Sequence, residues 1–128
     1  MQKKLLVVDD EVGITNMITR IAAGLDYEVR AVNDPAEAVP AYAAFEPDVV
    51  LLDLIMPGID GIDVLNQLLT LRAPDSIIVM SGYGQSYLRL GEAVGKFHDH
   101  HKITLLAKPF RRAELVALLT AEAGQLQP

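Results

Sequence analysis

Acidic, basic and hydroxyl side chains stand directly after four apolar runs in this chain. Asp9 and Asp10 follow KLLVV, and Asp53 follows DVVLL. Ser81 follows SIIVM, and Lys108 follows ITLLA. Three carboxylates that lie close together repel one another and raise at least one pKa unless a cation lies among them. If folding brings these side chains together, they predict a divalent cation held by carboxylate oxygens.

The ligand types indicate which cation this cluster would hold. Oxygen ligands without histidine suit a hard ion, and a few carboxylates completed by water suit Mg²⁺ better than Ca²⁺, with Mn²⁺ as a substitute. Mg²⁺ leaves coordination positions for a phosphoryl oxygen. Asp53 would then act as a nucleophile that forms an acyl phosphate. Lys108 would neutralise the phosphoryl charge, and Ser81 would donate a hydrogen bond to it.

Five short runs rich in Val, Ile and Leu are typical of strands that are buried on both faces. They predict strands over 4–8, 28–32, 48–52, 76–80 and 103–107. Segments with helical spacing predict helices over 12–23, 62–71 and 111–123, and a less regular helix somewhere within 85–97. A further helix is predicted to begin with Asp34 as N-cap and Pro35 at the first position. Pro40 is expected to kink that helix, because proline cannot donate to the carbonyl four residues back.

The strict alternation of strands and helices predicts an α/β fold with an open, doubly wound parallel sheet that is covered on both faces. Ligands bind such sheets outside the carboxyl ends of the strands, where the strand order reverses. Only the second strand is expected to end without a chemically active group. The pattern therefore predicts that Asp53 is carried to the exposed end of a central strand, beside Asp9 and Asp10.

The bulk composition disfavours several kinds of protein. The chain has 128 residues, of which 51% are hydrophobic, as suits one domain with its own core. A net charge of −6 disfavours direct nucleic-acid binding. The sequence has no cysteine, nothing typical of a signal peptide, and no apolar stretch of the ~18 residues that a membrane span needs. We expect a soluble cytoplasmic domain over 1–123 and a tail or linker over 124–128.

Four motifs together resemble the receiver domain of two-component response regulators: LLVVDDE, DVVLLDLIMPGIDG, IIVMSGYG and LLAKPF. The resemblance implies a flavodoxin-like (βα)5 fold with strand order 2-1-3-4-5. It implies that Asp53 is the phosphoacceptor. The metal would be organised by Asp9, Asp10, Asp53 and the Ile55 backbone carbonyl. Ser81 and Lys108 would contact the phosphoryl group, and the peptide bond from Lys108 to Pro109 would be cis.

The resemblance also implies partners. A sensor histidine kinase or a histidine phosphotransfer protein would donate the phosphoryl group. Phosphorylation would then switch a face that binds a downstream protein, an output domain or a second copy in a phosphorylation-dependent dimer. The chain would act as a signalling domain whose chemistry is directed at itself, and not as an enzyme on other substrates.

Three further positions bear on signalling and on the lifetime of the acyl phosphate. Leu105 stands where the family commonly has an aromatic residue whose inward or outward position reports phosphorylation, so signal transmission is expected to differ. Ile55 and Tyr83 occupy positions that flank the path of the hydrolytic water. Because both side chains are bulky and Ile55 cannot orient water, slow autodephosphorylation is expected.

Other functions stay open on the sequence alone. A degenerate receiver would bind a partner without phosphorylation, an interpretation that Leu105 supports and that the complete set of strand-end residues opposes. An aspartyl-nucleophile phosphatase would carry a second Asp as general acid where this chain has Ile55. A flavin- or nucleotide-binding protein would need a glycine-rich loop after the first strand, where DDEVG stands instead. In isolation, Asp9 and Asp10 could equally be capping residues of the following helix.

Overall fold

The chain forms a five-stranded parallel sheet in a computed structural model that describes residues 2–82, 85–99 and 102–124. The strands of the sheet are β1 (Lys3–Val8), β2 (Tyr27–Val32), β3 (Val49–Asp53), β6 (Ser76–Ser81) and β7 (Ile103–Ala107). Two short strands, β4 (Ile55–Met56) and β5 (Ile59–Asp60), form a separate antiparallel ribbon. The sheet order is β2-β1-β3-β6-β7, which is 2-1-3-4-5 when only the long strands are counted. The predicted fold class and strand order are confirmed.

In the described part of the chain, four α-helices connect strands and a fifth follows β7. They are α1 (Val12–Gly24), α2 (Ala38–Phe45), α3 (Gly61–Leu71), α4 (Gln85–Phe97) and α5 (Arg112–Gly124). The bounds of α1, α3 and α5 agree with the predicted helices to within one residue at either end, and α4 lies within the predicted range 85–97. None of the described helices combines the length and the apolar character that a membrane span requires. The predicted tail over 124–128 lies outside the described residues from 125 onward.

The segment after β2 differs from the prediction of a single kinked helix. Asp34 does cap it, because its Oδ1 accepts a hydrogen bond from the Ala36 backbone N–H at 3.1 Å. A 3-10 turn (Pro35–Glu37) comes first, and α2 begins only at Ala38. Pro40 therefore lies in the first turn of α2, where a backbone N–H has no acceptor within the helix. The predicted kink assumed that Pro40 removes a hydrogen bond from the helix. This assumption was wrong, because α2 has no such hydrogen bond at this position.

The sheet separates two groups of buried apolar side chains. Leu52 and Val79 pack on one face with residues of α2 and α3. Leu51 and Met80 pack on the other face with residues of α1 and α5. Successive residues alternate between the faces, as in any β-strand. Because helices cover both faces, the central strands offer polar side chains to solvent only at their ends.

Two buried tyrosines join distant elements. Tyr27 donates a hydrogen bond from its hydroxyl to the Leu119 carbonyl of α5 at 2.7 Å. Tyr42 of α2 donates to the carbonyl of Arg72, whose guanidinium carbon lies 5.4 Å from the centre of the Tyr42 ring. Burial raises the pKa of both phenols, that of Tyr42 to about 12. Both side chains therefore act as neutral donors at neutral pH.

Candidate functional site

Three carboxylates meet at the carboxyl edge of the sheet. β1 and β3 are neighbours, with Val8 paired to Leu52, so Asp9 and Asp53 follow at the same level. Oxygens from Asp9, Asp10 and Asp53 all lie within 4.8 Å of one another. Asp9 is fully buried, Asp53 is 3% exposed and Asp10 is half-buried. The fold thus brings together three acids from two strand ends.

Lys108, which directly follows β7, supplies positive charge to this cluster. Its Nζ lies 2.6 Å from Asp9 Oδ2 and 3.1 Å from Asp53 Oδ2. Burial alone would lower the pKa of Lys108, but the hydrogen bonds to Asp9 and Asp53 outweigh burial and raise it. Glu11 lies 3.9 Å from the same ammonium but is largely exposed, so this third contact contributes little. Lys108 is therefore held as a cation between two buried carboxylates.

The Lys108 ammonium compensates the negative charge of the Asp53 carboxylate only in part. Burial is the main cause that raises its pKa, and the charge of Asp9 raises it further. The Ile55 backbone N–H, which donates to Asp53 Oδ1 at 3.1 Å, and Lys108 both act in the opposite direction. The net pKa is above the ordinary value for an aspartate. The acidic pocket of Asp9, Asp10 and Asp53 offers carboxylate oxygens and is compatible with a divalent metal ion.

The turn that carries Asp9 and Asp10 is held from several sides. The Asp9 backbone N–H donates to the Val32 carbonyl at 3.1 Å, and Asp9 Oδ1 accepts from the Glu11 backbone N–H at 2.9 Å. Asn33 Nδ2 donates to the Asp9 carbonyl at 2.9 Å. β2 ends without a carboxylate, hydroxyl or ammonium group, as expected, but the amide side chain of Asn33 directly follows it. The sequence reasoning did not consider this amide.

The ribbon of β4 and β5 returns the chain past the end of β3. The Leu54 N–H donates to the Met80 carbonyl at 2.9 Å, and the Gly61 N–H donates to the Leu54 carbonyl at 3.1 Å. A Cβ atom on Gly61 would lie 2.3 Å from Leu54 Cα and the same distance from the Leu54 carbonyl oxygen. Glycine is therefore required at 61 for the ribbon to close against the residue that follows Asp53. The sequence reasoning did not anticipate this contact.

Comparison with known proteins decides the family. Residues 5–120 match the family model described as the response regulator receiver domain. The chain belongs to this family. It is 39% identical over 121 residues to the chemotaxis protein CheY of Listeria monocytogenes, a match that covers 94% of this chain and 98% of that protein. The named family agrees with the motifs that end β1, β3, β6 and β7.

Longer relatives and solved structures also match this receiver domain. It is 33% identical over 122 residues to the DNA-binding response regulator MtrA of Mycobacterium leprae, covering 94% of this chain and 51% of MtrA. The chain thus spans about half the length of such relatives. A receiver domain structure from Methanospirillum hungatei superposes with a TM-score of 0.82 at 20% identity, covering 98% of this chain and 96% of that one. One from Bermanella marisrubri gives 0.79 at 27% identity, covering 94% and 98%.

Ser81 and Lys108 of this receiver domain come from the two strands that follow β3 in the sheet order. Ser81 is buried at the end of β6, one residue beyond Met80, the register partner of Asp53. Its carbonyl accepts from the Lys108 backbone N–H at 2.9 Å, so Ser81 and Lys108 come from adjoining strand ends. The peptide bond from Lys108 to Pro109 is cis. Tyr83 lies outside the described residues.

Leu105 lies on the sheet face that α2 and α3 cover. It pairs with Val79 in the register of β6 and β7 and packs, partly buried, against the same apolar cluster as Leu52. Val94 of α4 packs against that cluster as well. Leu105 is therefore a packing residue between the edge strand β7 and the helices of this face. Its chemistry offers no hydroxyl that could respond to events at the site.

Proposed function

We propose that this receiver domain accepts a phosphoryl group on Asp53 from a phosphohistidine of a sensor histidine kinase or a histidine phosphotransfer protein. The observation that carries the proposal is the Lys108 ammonium, which contacts Asp9 and Asp53 together beside the carboxylate of Asp10. A buried carboxylate offers a nucleophile, and a fixed lysine beside two further acids offers a positive charge and metal ligands that would stabilise phosphoryl transfer to it.

The donor set suits Mg²⁺, with Mn²⁺ as a substitute. Asp9, Asp10 and Asp53 offer only oxygen atoms, which hard divalent cations prefer. We assign the Ile55 backbone carbonyl as a further ligand by its resemblance to the family pattern. When bound, the metal would neutralise charge that is shared between the carboxylates and the phosphoryl oxygens. Asp9 and Asp10 would hold the metal ion in place, so that an oxygen of Asp53 stays available to react with the phosphoryl group.

The transfer step forms one bond and breaks another. A carboxylate oxygen of Asp53 attacks phosphorus, the bond from phosphorus to the imidazole nitrogen breaks, and its electron pair leaves with the histidine. The Lys108 ammonium attracts the phosphoryl oxygens as their charge becomes exposed. The Ser81 hydroxyl donates a hydrogen bond to the same group. The product is an acyl phosphate on Asp53.

The phosphorylated domain would then act as a switch. Ser81 and Lys108 end adjacent strands, so a shift of either toward a phosphoryl group moves the loops that follow β6 and β7. We propose that this movement changes the affinity of a surface for a downstream protein, an output domain or a second copy. Leu105 would transmit it through packing and not through a hydroxyl contact.

Phosphoryl incorporation tests the proposal. Purified protein is mixed with acetyl phosphate with and without Mg²⁺, and intact mass is measured. We expect a gain of one phosphoryl group that requires Mg²⁺, is abolished by a chelator and is absent in Asp53→Asn. Asp63→Asn, which changes an exposed acid on α3, is the matched control and should behave as the parent does. Incorporation that is unaltered in Asp53→Asn would refute the assignment.

A further inference from the structure

We propose that Asn33 is a positioning residue for the phosphoryl-transfer site. Its side-chain amide holds the peptide bond that joins Asp9 to Asp10, and so sets where the Asp10 carboxylate lies relative to Asp9 and Asp53. The inference rests on the proposed function, because it assigns Asn33 a part in the same site. Asn33 would act on the site through the backbone of Asp9, and not by contacting the metal or the phosphoryl group itself.

The two N–H groups of the Asn33 amide have two different acceptors. Nδ2 lies 2.9 Å from the Asp9 carbonyl oxygen and 2.8 Å from Thr15 Oγ1. Because a backbone carbonyl can only accept, the group that faces Asp9 must be the amide NH₂. The Asp9 carbonyl belongs to the peptide unit that leads into Asp10. One side chain therefore joins the end of β2, the turn after β1 and the first turn of α1.

The peptide units on both sides of Asp10 are held by hydrogen bonds. Asn33 holds the unit before it through the Asp9 carbonyl. Asp9 Oδ1 holds the unit after it by accepting from the Glu11 N–H at 2.9 Å. With both flanking peptide planes fixed, the backbone dihedral angles of Asp10 are fixed as well, and with them the direction in which its side chain leaves the chain.

Thr15 gives the amide a rigid anchor. It is fully buried in α1, and its hydroxyl donates to the Val12 carbonyl at 3.1 Å while it accepts from Asn33. Cation ligands are sensitive to small displacements, and the groups that orient them typically affect metal affinity by about 10–100-fold. The contact between Asn33 and the Asp9 carbonyl should therefore matter for metal affinity, and the contact with Thr15 should matter mainly for stability.

Two variants separate these roles. Asn33→Leu keeps the number of side-chain heavy atoms and removes both donors without adding charge. Thr15→Val is the matched control, because it removes the second acceptor and leaves the contact with Asp9. Mg²⁺ affinity is measured by calorimetry on the unphosphorylated full chain, so that the readout does not depend on phosphoryl transfer. We expect Asn33→Leu to bind Mg²⁺ about tenfold more weakly and Thr15→Val to stay within about twofold of the parent.

A second readout needs no metal. The backbone ¹⁵N resonance of Asp10 responds to hydrogen bonding at the preceding carbonyl, so in the metal-free protein it should shift in Asn33→Leu and stay in place in Thr15→Val. Asn33→Ala removes the same donors without bulk, and serves if the leucine variant does not fold. Parent-like Mg²⁺ affinity in the Asn33 variants, or an equal loss in Thr15→Val, would overturn the inference. Neither result would contradict phosphorylation of Asp53 in the parent protein. If the parent protein bound no Mg²⁺, the proposed function and this inference would both be overturned.

Discussion

Lys108 Nζ lies 2.6 Å from Asp9 Oδ2, although 99 positions separate the two residues in the chain. Asp9 is fully buried, and the same ammonium reaches Asp53 at 3.1 Å. In the metal-free protein this lysine therefore compensates two buried carboxylates. A divalent cation in the acidic pocket would compete with the ammonium for the same oxygens.

Lys108→Met should therefore have opposite effects on stability and on metal affinity. Without Mg²⁺ the variant leaves two buried carboxylates uncompensated, and we expect its free energy of unfolding to fall by about 3 kcal/mol. Mg²⁺ should bind it more tightly than the parent, since no ammonium has to be displaced. Saturating Mg²⁺ should narrow the stability difference by mass action. Urea unfolding with and without Mg²⁺ measures both effects.

Lys96→Met is the matched control for this prediction. Lys96 lies on α4 with its side chain 67% exposed, and its ion pair with Glu92 is a surface pair. We expect neither stability nor Mg²⁺ affinity to change appreciably. Weaker Mg²⁺ binding by Lys108→Met would contradict the idea that the Lys108 ammonium and the metal compete for the same oxygens.

The lifetime of the acyl phosphate should depend on Ile55. Its backbone N–H donates to Asp53 Oδ1 at 3.1 Å, so Ile55 lies next to the proposed phosphoacceptor. An apolar side chain there cannot orient an attacking water, whereas an amide can. We expect Ile55→Asn to shorten the half-life of the phosphorylated protein severalfold. Decay of radiolabelled protein after removal of the donor gives the half-life.

Two further variants complete that series. Tyr83→Ala tests the sequence-based expectation that Tyr83 obstructs the water, and should also shorten the half-life. Ile59→Asn makes the same chemical change on the partner strand of the ribbon and should leave the half-life near that of the parent. Half-lives equal to the parent's in both Ile55→Asn and Tyr83→Ala would end the idea that these residues slow hydrolysis.

Gly61→Ala should be strongly destabilising. The added Cβ would lie 2.3 Å from Leu54 Cα, and the atoms that it meets are backbone atoms. The ribbon would have to move away from the end of β3. We expect a loss of at least about 2 kcal/mol in the free energy of unfolding. Mg²⁺ affinity should fall too, because Leu54 directly follows Asp53.

Gly13→Ala provides a control of opposite sign. Gly13 lies in α1, and a Cβ there would have no atom within 4 Å. Alanine favours helix more than glycine does, so stability should rise by up to about 1 kcal/mol. Thermal unfolding of both variants compares them directly. A Gly61→Ala variant as stable as the parent would contradict the close contact with Leu54.

Stability should fall at alkaline pH because of the buried tyrosines. The pKa of Tyr42 is raised to about 12 by burial, so its phenol ionises more readily in the unfolded chain than in the fold. Its contribution is complete below about pH 10, where an unfolded tyrosine is still neutral, and is lost as pH rises toward the folded pKa. Tyr42→Phe should be less stable at neutral pH by about 1 kcal/mol and should lose less stability above pH 10. An alkaline slope in Tyr42→Phe equal to that of the parent would contradict this account.

The fold and the placement of the candidate site residues at one edge of the sheet could be predicted because they depend on patterns that are local in sequence. Each buried strand is a short run of branched apolar residues, and Asp9, Asp53, Ser81 and Lys108 stand at the ends of such runs. Once the strands are parallel, their carboxyl ends must lie at one edge. The convergence of residues from distant parts of the chain then follows without knowledge of any contact.

The parts that could not be predicted depend on contacts between distant residues or on very short elements. The ribbon strands have two residues each, too few for a periodic pattern. The need for glycine at 61 follows only from its contact with Leu54. The hydrogen bond from Asn33 to the Asp9 carbonyl likewise depends on residues that are distant in the chain. The start of α2 at Ala38 was missed because the sequence does not show whether Pro40 lies in the first turn of a helix, where proline is tolerated, or in its interior, where proline causes a kink.

Identifying which residue carries the phosphoryl group tests the central claim most directly. The protein is incubated with a phosphodonor and Mg²⁺, the acyl phosphate is reduced with borohydride, and the digested chain is sequenced by mass spectrometry. Reduction converts a phosphorylated aspartate to homoserine, so we predict homoserine at position 53 only when donor and Mg²⁺ are both present. Homoserine at another aspartate, or at none, would contradict the assignment of Asp53 as the phosphoacceptor.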